Sequence, residues 1–517
     1  MRNRSRGTYI LGALASALLL STSGVVQAET VLKVAFIQDI RGTNPGVDRD
    51  GNTDTIHMHV VEGLVAYAAD FSVQPMLADS WEVSDDGLTY TFKLREDVPF
   101  HNGEVMTSEH VKWSWDRFMD PETKWRCRSY FDGENGPEVV SMEAPDAHTV
   151  VYNLASPSST FLGNLARFDC GNTAILHPDS VGADGKWLQP VATGPFKFGE
   201  IKHGRYIDLE KFNDYASRSE PQDGYTGAKA ALVDRVRLQI LPEPSVSKAA
   251  YLAGDIDLLT IQPADLVEME TAPNTQIVNA ETALWDALLI NSNDPLLKDN
   301  RIRRAMAHAI NRDQVVAVIS EGRGRANPSP LPPASSFFTD AQWEQLPYDR
   351  DQAKALLEEA GYEGQPIEIL TNKRSGAYYE RALIAQSMLK EAGINAQLKV
   401  LEWGTQLDAY TSGDYQMQSF SYSPRLDPAL SFEMISGEQS RKVWKDPEAI
   451  ALVEKAMVVS DREERQTIIN ELHRRFIEEV PAIGLGHRDK FYAVRDTIEG
   501  FTPWGAGKEI FWGVELK

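Results

Sequence analysis

The residues of this chain that could carry chemistry are few and scattered. Ser245 and Lys248 stand three apart, the S-x-x-K spacing in which a lysine assists a serine nucleophile. That chemistry also uses S-D-N and K-T-G segments, and the chain has neither, so the pair reads equally well as one turn of a helix. His57 and His59 flank Met58. On a helix, residues two apart diverge by about 200°, so they could share a metal ion only on a strand or loop. The ten histidines form no other zinc-like spacing. Cys127 and Cys170 are the only cysteines; neither has a C-x-x-C partner or a nearby histidine, which argues against zinc. In an oxidising compartment an even pair predicts a disulfide, with two buried thiols as the alternative. No G-x-S-x-G, H-E-x-x-H or Walker A pattern is present.

The elements that must position such residues are bounded first by size and charge. At 517 residues the chain exceeds the roughly 250–300 at which a single core stops growing, which predicts two or more lobes. The formal charge of −23 argues against nucleic acid and anionic membrane surfaces as partners, since both need clustered cations. The first 28 residues read as an export signal: Arg2, Arg4 and Arg6, then an apolar run over 9–20, then Val26-Gln27-Ala28 as a small-x-small cleavage site. The apolar run is short of the ~20 residues of a spanning helix, although a membrane-anchored N-terminal helix is the alternative. No cysteine follows for a lipid anchor, and Asn3 and Ser5 separate the arginines, so no twin arginine is present. An exported, soluble chain cleaved near Ala28 is expected.

Periodicity then predicts alternating strands and helices, an α/β chain. A strand over 31–37 leads through a loop containing Asn44-Pro45-Gly46 into a helix from Thr55 to Gly63. Residues 74–95 alternate apolar and polar around Asp85-Asp86-Gly87, a hairpin signal. Thr107 caps a helix running to Met119. Gly194-Pro195 reads as a tight turn, and Gly254 ends a helix before a strand. No internal repeat or coiled-coil heptad is visible.

Six segments in order carry a family resemblance. Residues 75–117 read PMLADSWEVSDDGLTYTFKLREDVPFHNGEVMTSEHVKWSWDR, and residues 191–201 read VATGPFKFGEI, with Ala192 where relatives have glycine. AAYLAGDIDLL follows at 249–259, INSNDPLLKDNRIRRAMAHAINRDQVVAVISEGRGRANPSPLPP at 290–333, YDRDQAKALLEEAGY at 348–362, and a segment ending GINAQLKVLEWGTQL at 385–407. This pattern resembles the family 5 solute-binding proteins of ABC importers, which capture oligopeptides, dipeptides, nickel complexes and opines. The resemblance implies an α/β, two-lobed periplasmic binding protein fold of the large type II class, with an extra subdomain in lobe I and two crossover hinge segments. Lobe I would comprise 29–290 and 483–517, with its subdomain at about 70–195; lobe II would comprise 291–482, with crossings near 288–292 and 482–487. The implied role is that of a monomeric periplasmic receptor, not an enzyme. It would use no cofactor, hold a peptide or peptide-like solute between its lobes, and deliver it to a membrane permease.

The same resemblance points to site residues. After the strand at 367–370, Arg374 of Lys373-Arg374 is placed to grip a ligand carboxylate bidentately. In dipeptide binders an aspartate in a G-D-N-G-D-P-like segment takes the ligand's amine; here the segment is Ser423-Pro424-Arg425-Leu426-Asp427-Pro428, and Pro424 stands where that acid would be. Arg425 beside the gap favours a second anionic group, hence an opine or sugar–amino acid conjugate as the alternative ligand, unless it pairs internally with Asp427. Trp403, Trp285 and Tyr422 are the aromatic candidates for stacking on the ligand.

Overall fold

The computed structural model describes residues 29–373 and 376–517. Residues 1–28, read above as an export signal, and Arg374 lie outside the described residues. Ten strands form one sheet. In chain order, β1 is Val31–Phe36, and the helix α1, Gly51–Val60, follows it. Strands β2 (Ala78–Val83) and β3 (Thr89–Leu94) are the expected hairpin, and α2 is Ser108–Met119. With β4 (Val139–Asp146) and β5 (Thr149–Leu154) the hairpin makes a separate antiparallel four-stranded sheet in the order β2-β3-β5-β4.

The large sheet continues with β6 (Phe196–Lys202), β7 (Tyr206–Lys211) and β8 (Arg235–Ile240), then α3 (Pro244–Ala253) and β9 (Leu258–Ile261). A long strand β10 (Thr275–Ile290) leads into the helical region that also contains β11 (Ile367–Thr371), α4 (Gly376–Glu391), β12 (Ala396–Val400), α5 (Trp403–Ser412) and β13 (Met417–Tyr422). Helices α6 (Pro428–Glu433) and α7 (Arg462–Glu479) precede a second long strand, β14 (Ala482–Arg495). The sheet order is β12-β11-β13-β10-β14-β9-β1-β8-β7-β6.

Two bodies share this sheet. One set of cores is drawn from residues 32–283 and 491–514, with Leu426 reaching into it, and the other from residues 285–485. The strands that pass from one to the other are β10 and β14, paired antiparallel along almost their whole length. Their register is broken between Glu281 and Trp285 and again between Asp286 and Ala287. Such irregularities bend and twist a strand locally, and they fall where the two cores meet. No helix of the described residues is long and apolar enough to cross a membrane.

Local details follow from side-chain chemistry. Helix α1 starts at Gly51, four residues before the expected Thr55, because Asp50 accepts from the backbone N–H groups of Asn52 and Thr53. It ends at Val60, before Gly63. In α2 Thr107 is the N-cap, as expected, within a capping box closed by His110. Gly254 ends α3 in the left-handed region at φ 88°. Gly194 is small for a different reason from the expected turn: a Cβ there would lie 2.5 Å from the Val60 carbonyl group. Cys127 and Cys170 form the predicted disulfide, with Cα atoms 5.6 Å apart.

Candidate functional site

The two crossing strands floor a cleft between the bodies. Side chains alternate along a strand, so Thr282, Leu284 and Asp286 of β10 look into one cavity of about 430 Å³. Its walls are residues 262–264 on the first body and Val316, residues 318–321, Ala377 and Glu380 on the second. Leu284 also lines a second cavity of about 400 Å³. There the first body presents Arg49, Tyr130, Arg167, Asp169 and Lys508, and the second presents Ser423, Pro424, Arg425 and Leu426. A third, of about 260 Å³, adjoins both through Thr260 and Lys508. The cleft is therefore a chain of cavities, the two largest lined from both bodies.

Asp286 is the electrostatic centre of the floor. It is 2.8 Å from Arg381 of α4 and 2.8 Å from Arg488 of β14, and it accepts a hydrogen bond from the Ser421 hydroxyl. Burial alone would raise its carboxyl; the two guanidinium groups and the Ser421 bond overcome this and hold it at about 2. Arg381 is fully buried and also donates to Ser419 Oγ at 2.8 Å and Ser421 Oγ at 3.0 Å. Three strands and a helix are thus pinned at the point where the chain crosses between bodies.

Arg425 enters the second cavity from the loop between β13 and α6. It donates only to the carbonyls of Ser423 and Pro424, both at 3.2 Å, and has no ion pair among the described residues. Asp427 does not pair with it. That carboxylate caps α6 through Ala429 N–H, and both its oxygens accept from one guanidinium nitrogen of Arg465 at 2.7 and 2.9 Å. Burial, reinforced by Arg167, lowers the Arg425 pKa below its usual range. In the first body, Arg49 pairs with Asp54 at 2.7 Å, and Arg167 holds Asp169 through contacts of 3.0 and 2.9 Å. Burial pushes the Asp169 carboxyl up, but Arg167, Arg49 and Arg126 hold it at about 2.

The aromatic candidates occupy a different place. Trp285 is buried in the core of the second body, stacked on Tyr422 with ring centres 5.9 Å apart and set against Phe476. Tyr422 is also buried, against Phe420 at 5.1 Å. Trp403 is partly buried at the start of α5, 5.9 Å from both Phe420 and Tyr378. The three thus join one aromatic cluster behind the cleft and line none of its three cavities. Trp285 projects there because side chains alternate along β10, which turns it toward the face opposite Leu284 and Asp286. Lys373, the neighbour of the undescribed Arg374, is exposed and lies over the Tyr379 ring at 4.9 Å.

The other sequence candidates have structural partners. Ser245 is exposed on α3, and Lys248 is pinned between Asp265 and Glu268 at 2.7 Å each, hydrogen bonds that raise its pKa. In this structure the Lys248 ammonium is engaged by two carboxylates. His57 and His59 are buried on α1. His59 has both ring nitrogens committed, Nδ1 to the Thr55 carbonyl at 2.7 Å and Nε2 to the Phe511 N–H at 3.0 Å. Glu104, His110 and His177 gather in the four-stranded sheet's subdomain. Backbone N–H groups of Thr107 and Asp179 donate to the two Nδ1 atoms, which places the protons on Nε2; His177 Nε2 then donates to Glu104 at 2.7 Å.

Sequence reasoning missed Arg49, Arg126, Arg167, Asp169, Lys508 and the Asp286–Arg381–Arg488 group. The first five come from four separate loops, with no spacing to connect them. Arg381 lies on a helix, where a charge ordinarily reads as a solvent-facing residue.

Residues 72–441 match the bacterial extracellular solute-binding proteins, family 5. The chain is 27% identical over 534 residues to di/tripeptide-binding protein 2 of Pseudomonas aeruginosa, covering 97% of each chain. Among solved structures it is similar to HbpA2 from Haemophilus parasuis, with a TM-score of 0.81, 24% identity, and coverage of 94% of this chain and 100% of that one. It is also similar to AgaA of A. tumefaciens R10 in complex with agropinic acid, with a TM-score of 0.71, 25% identity, and coverage of 94% and 99%. The ordered sequence segments, the two bodies joined by crossing strands and the match over most of the length agree: the chain belongs to the bacterial extracellular solute-binding proteins of family 5.

Proposed function

We propose that this protein is the exported, periplasmic receptor of an ABC importer, binding a peptide or peptide-like solute in the interlobe cleft and presenting it to the permease. Lobe I comprises 29–290 and 483–517 with a subdomain at about 70–195, lobe II comprises 291–482, and the receptor acts as a monomer without catalysis. The observation that carries the reading is the cleft itself: cavities lined from both bodies meet at Leu284, over the irregular crossing of β10 and β14. A solute there gains contacts in the closed form that the open form lacks, and only such a difference drives closure. The similarity to a di/tripeptide-binding protein supports the peptide class.

A second reading, an opine or sugar–amino acid conjugate, is favoured by one feature. Pro424 offers no carboxylate for a ligand amine, while Arg425 beside it lacks an anionic partner among the described residues. Calorimetric titration with matched pairs separates the readings. One member is a free-amine di- or tripeptide and the other an N-carboxyalkyl amino acid. Tight binding of the peptide supports the first reading, and tight binding of only the substituted compound supports the second. Binding of neither to the cleft would refute both.

A further inference from the structure

The second cavity is cationic in a chain that is otherwise strongly acidic. Five cations line it, Arg49, Arg126, Arg167, Arg425 and Lys508, against two carboxylates, Asp54 and Asp169. Both carboxylates are already taken, Asp54 by Arg49 and Asp169 by Arg167. Arg126 and Arg425 have no ion pair among the described residues, and Lys508 spends its amine on the Gly51 carbonyl at 2.6 Å. Full ionisation leaves three positive charges in excess around about 400 Å³. They come from both sides: Arg126 and Lys508 from lobe I, Arg425 from lobe II. Like charges brought together in a site of reduced dielectric repel strongly, so closing the empty cleft drives Arg425 toward uncompensated charge.

We infer that Arg126, Arg425 and Lys508 form an anion clamp spanning the two lobes, so that the solute carries an acidic group in addition to its main-chain carboxylate and closure depends on that group. This deepens the proposed function and rests on the cleft being the solute site. An anion between the lobes converts a repulsive contact into two charge-assisted ones, and guanidinium groups suit a carboxylate because they can grip it bidentately. The tyrosine face of Tyr130, which already carries Arg167 at 4.3 Å, keeps that guanidinium in place, leaving Arg126 and Arg425 to move onto the ligand. The acidic group can sit on a peptide side chain or on an N-carboxyalkyl substituent; the chemistry is the same.

The test begins with the anion alone. Melting of the exported protein is followed with glutarate and with its neutral analogue glutaramide, at matched ionic strength. The clamp predicts a rise with glutarate only, and loss of that rise in Arg126→Gln, Arg425→Gln and the double variant. Arg126 is exposed, so its variant keeps the fold even if Arg425→Gln does not. Calorimetry then compares Ala-Glu with Ala-Gln, and both with N-(1-carboxyethyl)alanine. An acidic ligand should bind about tenfold or more tighter than Ala-Gln, the size of one charge-assisted contact. Preference for Ala-Glu assigns the acid to a side chain, and preference for the N-carboxyalkyl compound assigns it to the amine position. A glutarate effect that survives in the double variant, or affinity for Ala-Gln equal to that for both acidic ligands, overturns the clamp while leaving the peptide reading intact. A glutarate effect lost in the variants, with no binding of any peptide or conjugate, supports the clamp and defeats the peptide-like reading.

Discussion

Replacing Asp286 with asparagine should unfasten the crossing between lobes. The carboxylate lies 2.8 Å from both Arg381 and Arg488, and Arg381 is fully buried. Removing one member of a buried ion pair costs about 3–5 kcal/mol, because the remaining charge is left desolvated and unpaired. The carboxyl's own equilibrium gives a second figure. Holding it at about 2 instead of the usual 3.8 corresponds to roughly 2–3 kcal/mol. An asparagine can still accept from Ser421, so the lower end applies, and we expect Asp286→Asn to lose about 3 kcal/mol. Because the folded pKa is depressed, this stabilisation is present above about pH 4 and fades as pH falls toward 2. Urea unfolding at pH 7 followed by circular dichroism measures it, with the denaturant slope checked for constancy. In a cycle with Arg381→Met, the double variant should be less destabilised than the sum of the singles by about 2 kcal/mol. A single variant within about 0.5 kcal/mol of the parent, or strictly additive singles, would refute the network as a structural pin.

Three further outcomes are expected. Changing both Cys127 and Cys170 to serine opens a link between residues 43 apart; chain entropy puts the loss near 4 kcal/mol, read as a lower melting temperature with unaltered ligand preference. Burial keeps His57, His101 and His487 neutral down to about 4 and His59 to about 3. The unfolded chain takes up those protons first, so stability should fall as pH drops below about 6.5, by up to roughly 1.4 kcal/mol per pH unit for each histidine; equal melting temperatures at pH 7 and pH 5 would contradict this. Asp489 runs the other way: burial raises its carboxyl to about 6, so its ionisation in the folded state costs stability as pH rises from about 4 through 6. Asp489→Asn should therefore stabilise the protein at pH 8 by about 1 kcal/mol after solvent screening, and not at pH 4.

Much of the scaffold was legible because it is local. Thr107 at the start of α2, Gly254 at the end of α3 and the Asp85-Asp86-Gly87 hairpin each act within a few residues. The site was legible only in part. Arg425 could be singled out because it neighbours a departure from a family motif, and it does line the cleft. Trp285 and Tyr422 could not be assigned to a face. Both faces of β10 and β13 are largely buried where they meet the second core, so hydrophobic alternation vanishes and the residue pattern does not tell which face looks into the cavity. The remaining cavity cations come together only through tertiary folding, since 459 positions separate Arg49 from Lys508 in the sequence.

The central claim is that both lobes close on a solute held between them. Small-angle X-ray scattering of the protein, with and without a solute that calorimetry shows to saturate it, tests this most directly. The account predicts a smaller radius of gyration in the bound state, because ligand contacts from both lobes favour the closed form. Superimposable scattering curves at proven saturation would contradict it.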